Sequence, residues 1–154
     1  MVTALLGLCT PVAAADLTGI ALNGTFTAVS DGTWAKTNDS FHDESTIPST
    51  WTIRSTCTTF QDCTGRLVSD QGWSAPVVYL SGRWRATRVV DDWEHCADGS
   101  TAPGQQSFTF WPPRADEYNP VMLTGWDETV GPSGACGINR SLVIQMPLRL
   151  TRIG

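Results

Sequence analysis

The sequence predicts an all-β domain, an antiparallel up-and-down β-barrel of about eight strands, with a two-sheet β-sandwich as the alternative. Apolar residues recur at every second position in several short segments, turn residues separate those segments, and no apolar repeat of helical spacing extends over a useful window. The chain of 154 residues has the length of one domain, which we place at residues 16–154. Its composition, 41% apolar and 16% charged residues, is that of a chain able to form a core.

The first three strands contain the clearest alternation. Strand one is expected over 22–29 and ends at Asp31-Gly32. In the stretch 49–70, aromatic and aliphatic residues alternate with threonine and arginine, and Cys57 and Cys63 bracket a five-residue connection. This pattern predicts a β-hairpin, strands two and three, held by a disulfide between the two cysteines.

The other five strands follow the same rule with different turns between them. Strands four and five are separated by Ser81-Gly82, and strand six ends at Pro112-Pro113. The last strand alternates most regularly, and Pro147 within it indicates an edge or a bulge because proline cannot donate a ladder hydrogen bond. The five segments are 77–80, 83–90, 106–110, 121–126 and 142–150.

Loop lengths indicate that one end of the barrel differs from the other. In a simple meander, connections 31–48, 71–75, 91–104 and 128–140 lie at one end, and the shorter connections lie at the opposite end. Cys96 and Cys136 then share the long-loop end, which a disulfide requires. Four cysteines allow three pairings, of which we favour Cys57–Cys63 with Cys96–Cys136. A zinc site is the rival interpretation, and the lack of CxxC pairs disfavours it.

The first 15 residues carry no charge and end in Ala13-Ala14-Ala15, which resembles the apolar region and cleavage site of a signal peptide without its basic start. Cys9 follows a leucine, which disfavours a lipoprotein. We expect a secreted or cell-envelope protein, with anchoring by an uncleaved N-terminal segment as the alternative. The net charge of −5 and the lack of an arginine block argue against nucleic acid as a partner.

Aromatic and ionisable residues gather in the loops expected at the long-loop end. They suit a sugar, a lipid headgroup or a small cation, and the alternative is that they are solvated while Trp73 and Trp93 cap the core. The candidate ligand-binding residues are Trp34, His42, Trp73, Trp93 and His95.

No motif for catalysis stands out: there is no G-x-S-x-G, and the histidine and carboxylate spacing matches no standard metal site. We therefore assign no catalytic residue, no metal and no cofactor. The leading hypothesis is a non-enzymatic extracytoplasmic binding module for a small molecule, glycan or lipid, at the long-loop end or in the barrel interior. The alternatives are a structural or protein-interaction protein of the envelope that adds an exposed strand such as 142–150 to a partner, and a metal-dependent hydrolase around His42 and His95.

A resemblance to known proteins rests on paired cysteines and spaced tryptophans. It is carried by T-W-T-I-R-S-T-C, C-T-G-R-L-V-S, Q-G-W, G-R-W, C-A-D-G and F-T-F-W-P. From Asn23 onward the chain resembles small exported mycobacterial proteins of unknown function, and the outer-face domain of some mycobacterial membrane-anchored serine/threonine kinases. The resemblance implies an envelope or secreted location and a role in recognition, and it supplies no catalytic residues.

Overall fold

The computed structural model describes residues 20–115 and 117–154. The predicted leader, residues 1–15 with Cys9, lies outside the described residues. Eight long strands form a closed antiparallel barrel, so the predicted barrel is confirmed and the sandwich alternative is wrong. The described strands are β1 Gly24–Ser30, β2 Lys36–Thr37, β3 Ser40–Phe41, β4 Ile47–Cys57, β5 Cys63–Ser69, β6 Ser74–Leu80, β7 Arg83–His95, β8 Thr101–Trp111, β9 Met122–Val130 and β10 Val143–Arg152.

The barrel is a meander closed by its first and last strands. Each strand from β4 to β10 pairs with the next one along the chain, and β1 pairs with β4 on one side and β10 on the other. The short β2–β3 hairpin lies outside this ring and pairs with β10 through Lys36 and Thr37. Two 3-10 turns, Gly32–Trp34 and Ala135–Gly137, lie in the long connections.

Strand β10 is paired along both sides, and this corrects two expectations. It pairs with β9 over 143–151, and on its other side with β2 at 144–145 and with β1 at 148–152. Pro147 lies between the part of β10 that pairs with β1 and the part that pairs with β2. Its carbonyl accepts a hydrogen bond of 2.8 Å from the Asp31 N–H. Pro147 is therefore not at a sheet edge, and 142–150 is not an exposed strand free to add to a partner sheet.

The half of the barrel away from the long loops is filled with large side chains, and burial of each contributes about 1.5–3 kcal/mol. Gly125 on β9 allows the neighbouring strand to approach, since a Cβ atom there would lie 1.9 Å from the Thr109 carbonyl oxygen. The largest buried apolar side chains of this half are Phe26, Ile53, Leu67, Trp84, Phe110, Leu123 and Leu150.

Both favoured disulfides are confirmed, Cys57–Cys63 and Cys96–Cys136, with Cα–Cα distances of 4.0 and 5.1 Å. Strands β7 and β8 extend beyond the barrel as a two-stranded ribbon, with a change of register between Val90 and Glu94. The expected loop 91–104 is therefore mostly strand. Strand β9 likewise continues beyond its expected end at Trp126, so Asp127 lies in a strand.

Candidate functional site

A cavity of about 270 Å³ opens at the long-loop end of the barrel. Its wall is built in layers because inward residues recur at every second position along each strand. On β10 these are Leu148, Met146 and Ile144 from the core outward, and on β7 they are Ala86, Arg88 and Val90. The cavity is lined by Ser30, Glu44, Ser45, Ile47, Ser49, Trp51, Gln71, Trp73, Arg88, Val90, Trp93, Gln106, Phe108, Asp127, Thr129, Ile144 and Met146.

Three aromatic rings form the deep wall of the cavity. Trp73, from the turn between β5 and β6, stacks parallel to Phe108 with a centroid distance of 5.4 Å. Trp51 meets Phe108 edge-on at 4.8 Å and Trp73 edge-on at 5.8 Å. Edge-on and offset-parallel contacts are the arrangements that aromatic quadrupoles favour, so the three rings hold each other in place.

A chain of polar side chains lies above the rings. Asp127 is 3% exposed and accepts hydrogen bonds from Ser30 Oγ at 2.7 Å and from Gln106 Nε2 at 2.8 Å. The Gln106 carbonyl accepts a bond of 2.7 Å from Arg88 Nε, and the Arg88 guanidinium lies 4.3 Å from the centre of the Trp73 ring. Asp127 and Arg88 are thus connected through Gln106, with the guanidinium fixed at two points.

Burial alters the acid–base properties of both charged groups. It raises the pKa of the Asp127 carboxyl above its usual value, and the bonds from Ser30 and Gln106 and the charge of Arg88 oppose this only in part. Burial lowers the pKa of Arg88, against the attraction of Asp127. Asp127 and Arg88, whose pKa values are both shifted, line the same cavity, and this marks the cavity as a candidate site.

Some hydrogen-bond donors at the cavity have no partner among residues 20–115 and 117–154. Trp51 is 2% exposed, and its buried Nε1–H makes no hydrogen bond. Arg88 bonds through Nε alone, which leaves its two terminal NH₂ groups as donors. The Trp51 Nε1–H is fully covered by protein atoms, so the NH₂ groups of Arg88 are the donors that face a ligand in the cavity.

The rim is formed by Trp93 on the β7–β8 ribbon. A Cβ atom at Gly104 would lie 2.7 Å from the Trp93 ring, and one at Gly131 would lie 3.2 Å from it. The indole can therefore pack here only because both positions are glycine. Beyond Trp93 a wider groove of about 660 Å³ runs along the Cys96–Cys136 disulfide. Glu44, Trp93 and Ile144 line both spaces, so the groove continues from the cavity.

The five candidate residues chosen from the sequence lie in three places. Trp73 and Trp93 line the cavity, and His95 lines the groove. Trp34 is 62% exposed and packs edge-on against Phe41, while His42 is exposed and its Nδ1 lies 3.3 Å from Glu44 Oε1. No group of three or more His, Cys, Asp or Glu side chains within the described part of the chain is arranged to hold a metal ion.

Four polar residues of the cavity were missed from the sequence: Ser30, Arg88, Gln106 and Asp127. Each lies in phase with the inward-facing residues of its strand. Asp127 follows Leu123 and Gly125, for example, and Thr129 comes next. A polar residue in phase with a buried face is the signal that finds them.

Comparison with solved structures finds a match to the monomer form of the M. tuberculosis PknI sensor domain. The TM-score is 0.62, the identity is 16%, and the match covers 87% of this chain and 88% of that one. It confirms the mycobacterial resemblance at the level of the fold. No protein-family model and no curated protein sequence matches this chain. Within residues 20–115 and 117–154, no helix has the length and apolar character to cross a membrane.

Proposed function

We propose that this domain is a non-enzymatic binding module that works outside the cytoplasm and holds a small molecule in the cavity at the long-loop end. One observation carries the proposal. The cavity at the long-loop end combines an aromatic wall with fixed polar groups and the free NH₂ donors of Arg88. Small-molecule sites in proteins have this character, mostly apolar with a few converging polar groups.

The dimensions support a ligand of modest size. The cavity of about 270 Å³ is slightly below the usual range for ligand pockets, which is about 300–1,000 Å³. The groove of about 660 Å³ begins at the same rim residues, so a ligand longer than the cavity has a surface along which to extend. We infer that the bound molecule has one end in the cavity and the other in the groove.

The polar layer supports binding more than catalysis. Both carboxylate oxygens of Asp127 already accept hydrogen bonds, one from Ser30 and one from Gln106. A general base needs an oxygen within reach of the proton that it abstracts. The fixed pattern of donors and acceptors is suited to orienting a ligand.

A location outside the cytoplasm is supported by the two disulfides, since such bonds persist in oxidising compartments. The fold shared with the PknI sensor domain supports the same location and a role in recognition. The predicted leader at 1–15 is consistent with export.

Two tryptophan substitutions at adjacent positions test the site. Val90 lines the cavity, and Val89 is exposed on the outer face of the same strand. We expect Val90→Trp to abolish binding of ligands found in a panel of lipids, glycans and aryl acids, because the indole would fill the mouth. Val89→Trp adds the same group outside and should leave binding unchanged. Ligand-observed saturation-transfer NMR measures both.

Two results would contradict the proposal. One is the absence of saturable binding by the wild-type protein to any member of the panel. The other is a ligand whose affinity is the same for Val90→Trp and for the wild-type protein, because that ligand would bind elsewhere on the molecule. Circular dichroism of the two variants checks that both retain the barrel.

A further inference from the structure

We propose that the ligand is an amphipathic oxyanion, a molecule with a carboxylate or phosphate head bound by Arg88 and an apolar body that lies against the outer wall of the cavity. This rests on the function proposed above and specifies the chemistry of the ligand. It follows from three features of the cavity: which hydrogen-bonding groups are unmatched, how Arg88 is held, and where the apolar residues lie.

The charged donor that faces the cavity is unmatched. Arg88 has two terminal NH₂ groups beyond the bond from its Nε, and no partner for them is found among the described residues. The buried carboxylate near it is already engaged, because Asp127 accepts from Ser30 and Gln106. A ligand head that complements Arg88 must therefore supply acceptor oxygens.

The way Arg88 is held favours an anion over a neutral acceptor. Its guanidinium is fixed by Trp73 and Gln106, and the carboxylate of Asp127 is connected to it through Gln106 and not by a direct ion pair. The outer edge of the guanidinium thus keeps its two parallel donors. A planar guanidinium binds a carboxylate or phosphate through two such bonds, and charged bonds of this kind are the stronger class.

The outer wall of the cavity is mainly apolar. Val90 and Ile144 lie one step nearer the mouth than Arg88 and Met146, and Trp93 covers the rim. Beyond the rim, Leu142 and Ile144 continue along the groove. An oxyanion bound at Arg88 would thus carry its apolar body outward along these residues, where burial contributes about 25 cal/mol per Å².

Two carboxylates lie near the proposed position of the ligand head. Asp127 is connected to Arg88 through Gln106, and Glu44 lines both the cavity and the groove. Replacing Asp127 by Asn removes the nearest negative charge and keeps a side chain of the same shape. We expect Asp127→Asn to bind a decanoate probe several-fold more tightly than the wild-type protein does.

The test compares three probes with the same alkyl chain by isothermal titration calorimetry: decanoate, decyl phosphate and 1-decanol, all below their micelle concentrations. We expect one or both anions to bind, and the alcohol to bind roughly 10- to 100-fold more weakly, the range for loss of a charged hydrogen bond. Comparing the affinities of decanoate and decyl phosphate shows whether the site prefers a carboxylic acid or a phosphate ester. Arg88→Gln should lose the preference for the anion. Arg85→Gln, which removes the same charge from the outer face of β7, should keep it.

The outcomes separate the ligand class from the site. If decanol binds as tightly as decanoate, or if Arg88→Gln and Arg85→Gln behave alike, the oxyanion proposal is wrong although the cavity still binds ligands. If none of the three probes binds while other panel molecules do, the ligand class is also wrong. If nothing binds the cavity, the proposed function fails as well.

Discussion

The two disulfides close loops of very different length, and this difference can be tested. Cys96 and Cys136 are 40 residues apart, whereas Cys57 and Cys63 are 6 apart and face each other across one hairpin. The chain-entropy relation gives about 4 kcal/mol for the longer loop and about 2 kcal/mol for the shorter one. The double variant Cys96→Ser/Cys136→Ser should therefore lose about 2 kcal/mol more stability than Cys57→Ser/Cys63→Ser.

Urea unfolding of the two double variants, followed by circular dichroism, measures the difference. A second readout separates the two ends of the barrel. The Cys96–Cys136 bridge ties the β7–β8 ribbon to the connection after β9 and lines the groove, so its loss should also weaken binding of a ligand that extends into the groove. The Cys57–Cys63 bridge lies at the opposite end, and its loss should leave affinity unchanged. Equal stability losses, or a greater loss for the hairpin variant, would refute the loop-length reasoning.

Three further predictions concern single side chains. Because burial raises the pKa of Asp127, its carboxyl favours the folded state at acidic pH, and that advantage disappears as pH rises through the folded-state pKa. The free energy of unfolding of Asp127→Asn relative to the wild type should therefore rise from about pH 4 to about pH 7, and a flat difference in urea titrations would contradict this. Gly125→Ala should cost about 3 kcal/mol or more, since the new Cβ would meet the backbone of β8, while Thr124→Ala on the outer face serves as the control in the same titration. Trp34→Ala should change the free energy of unfolding by less than about 0.5 kcal/mol, because the indole is 62% exposed, and a larger loss in urea would show a packing role for this ring.

The architecture of the barrel could be predicted from the sequence because alternation is a local signal. Residues such as Trp51 and Ile53 share a face only in an extended strand, and their spacing is visible without knowledge of any neighbour. The pairing of Cys96 with Cys136 was predicted from the even cysteine count once Cys57 and Cys63 were assigned to one hairpin, and the meander agreed with it by placing both cysteines at one end.

The strand extensions and the β2–β3 hairpin could not be predicted in the same way. Asp91 to Glu94 is too polar to be recognised as strand, and its pairing with β8 comes from the neighbour and not from its own residues. The β2–β3 hairpin contains two pairs of residues, and Lys36 and Thr37 are held by the edge that β10 offers beyond the end of β1. Such short strands form through tertiary pairing that a local pattern does not contain.

Two of the candidate site residues lie at the cavity. Trp73 and Trp93 were chosen because aromatics in loops at a barrel mouth suit a ligand, and both line the cavity, while Trp73 also packs against the core as the alternative expected. Arg88 was missed because it looks like an ordinary polar residue of a strand, and Asp127 was missed because strand seven was expected to end at Trp126. Their significance comes from the barrel closing around them, which brings β7, β8 and β9 side chains into one hydrogen-bonded chain.

The most direct measurement is the indole N–H spectrum of the protein with and without the best-binding ligand. The Trp51 indole lines the deep wall of the cavity, and its Nε1–H is buried without a partner in the described part of the chain, so we expect a ligand in the cavity to change the environment of this group. In a ¹H–¹⁵N correlation experiment, assigned with Trp51→Phe, we expect the Trp51 signal to shift on saturation while that of the exposed Trp34 stays in place. A saturating ligand that leaves the Trp51 signal unmoved would contradict the assignment of this cavity as the binding site.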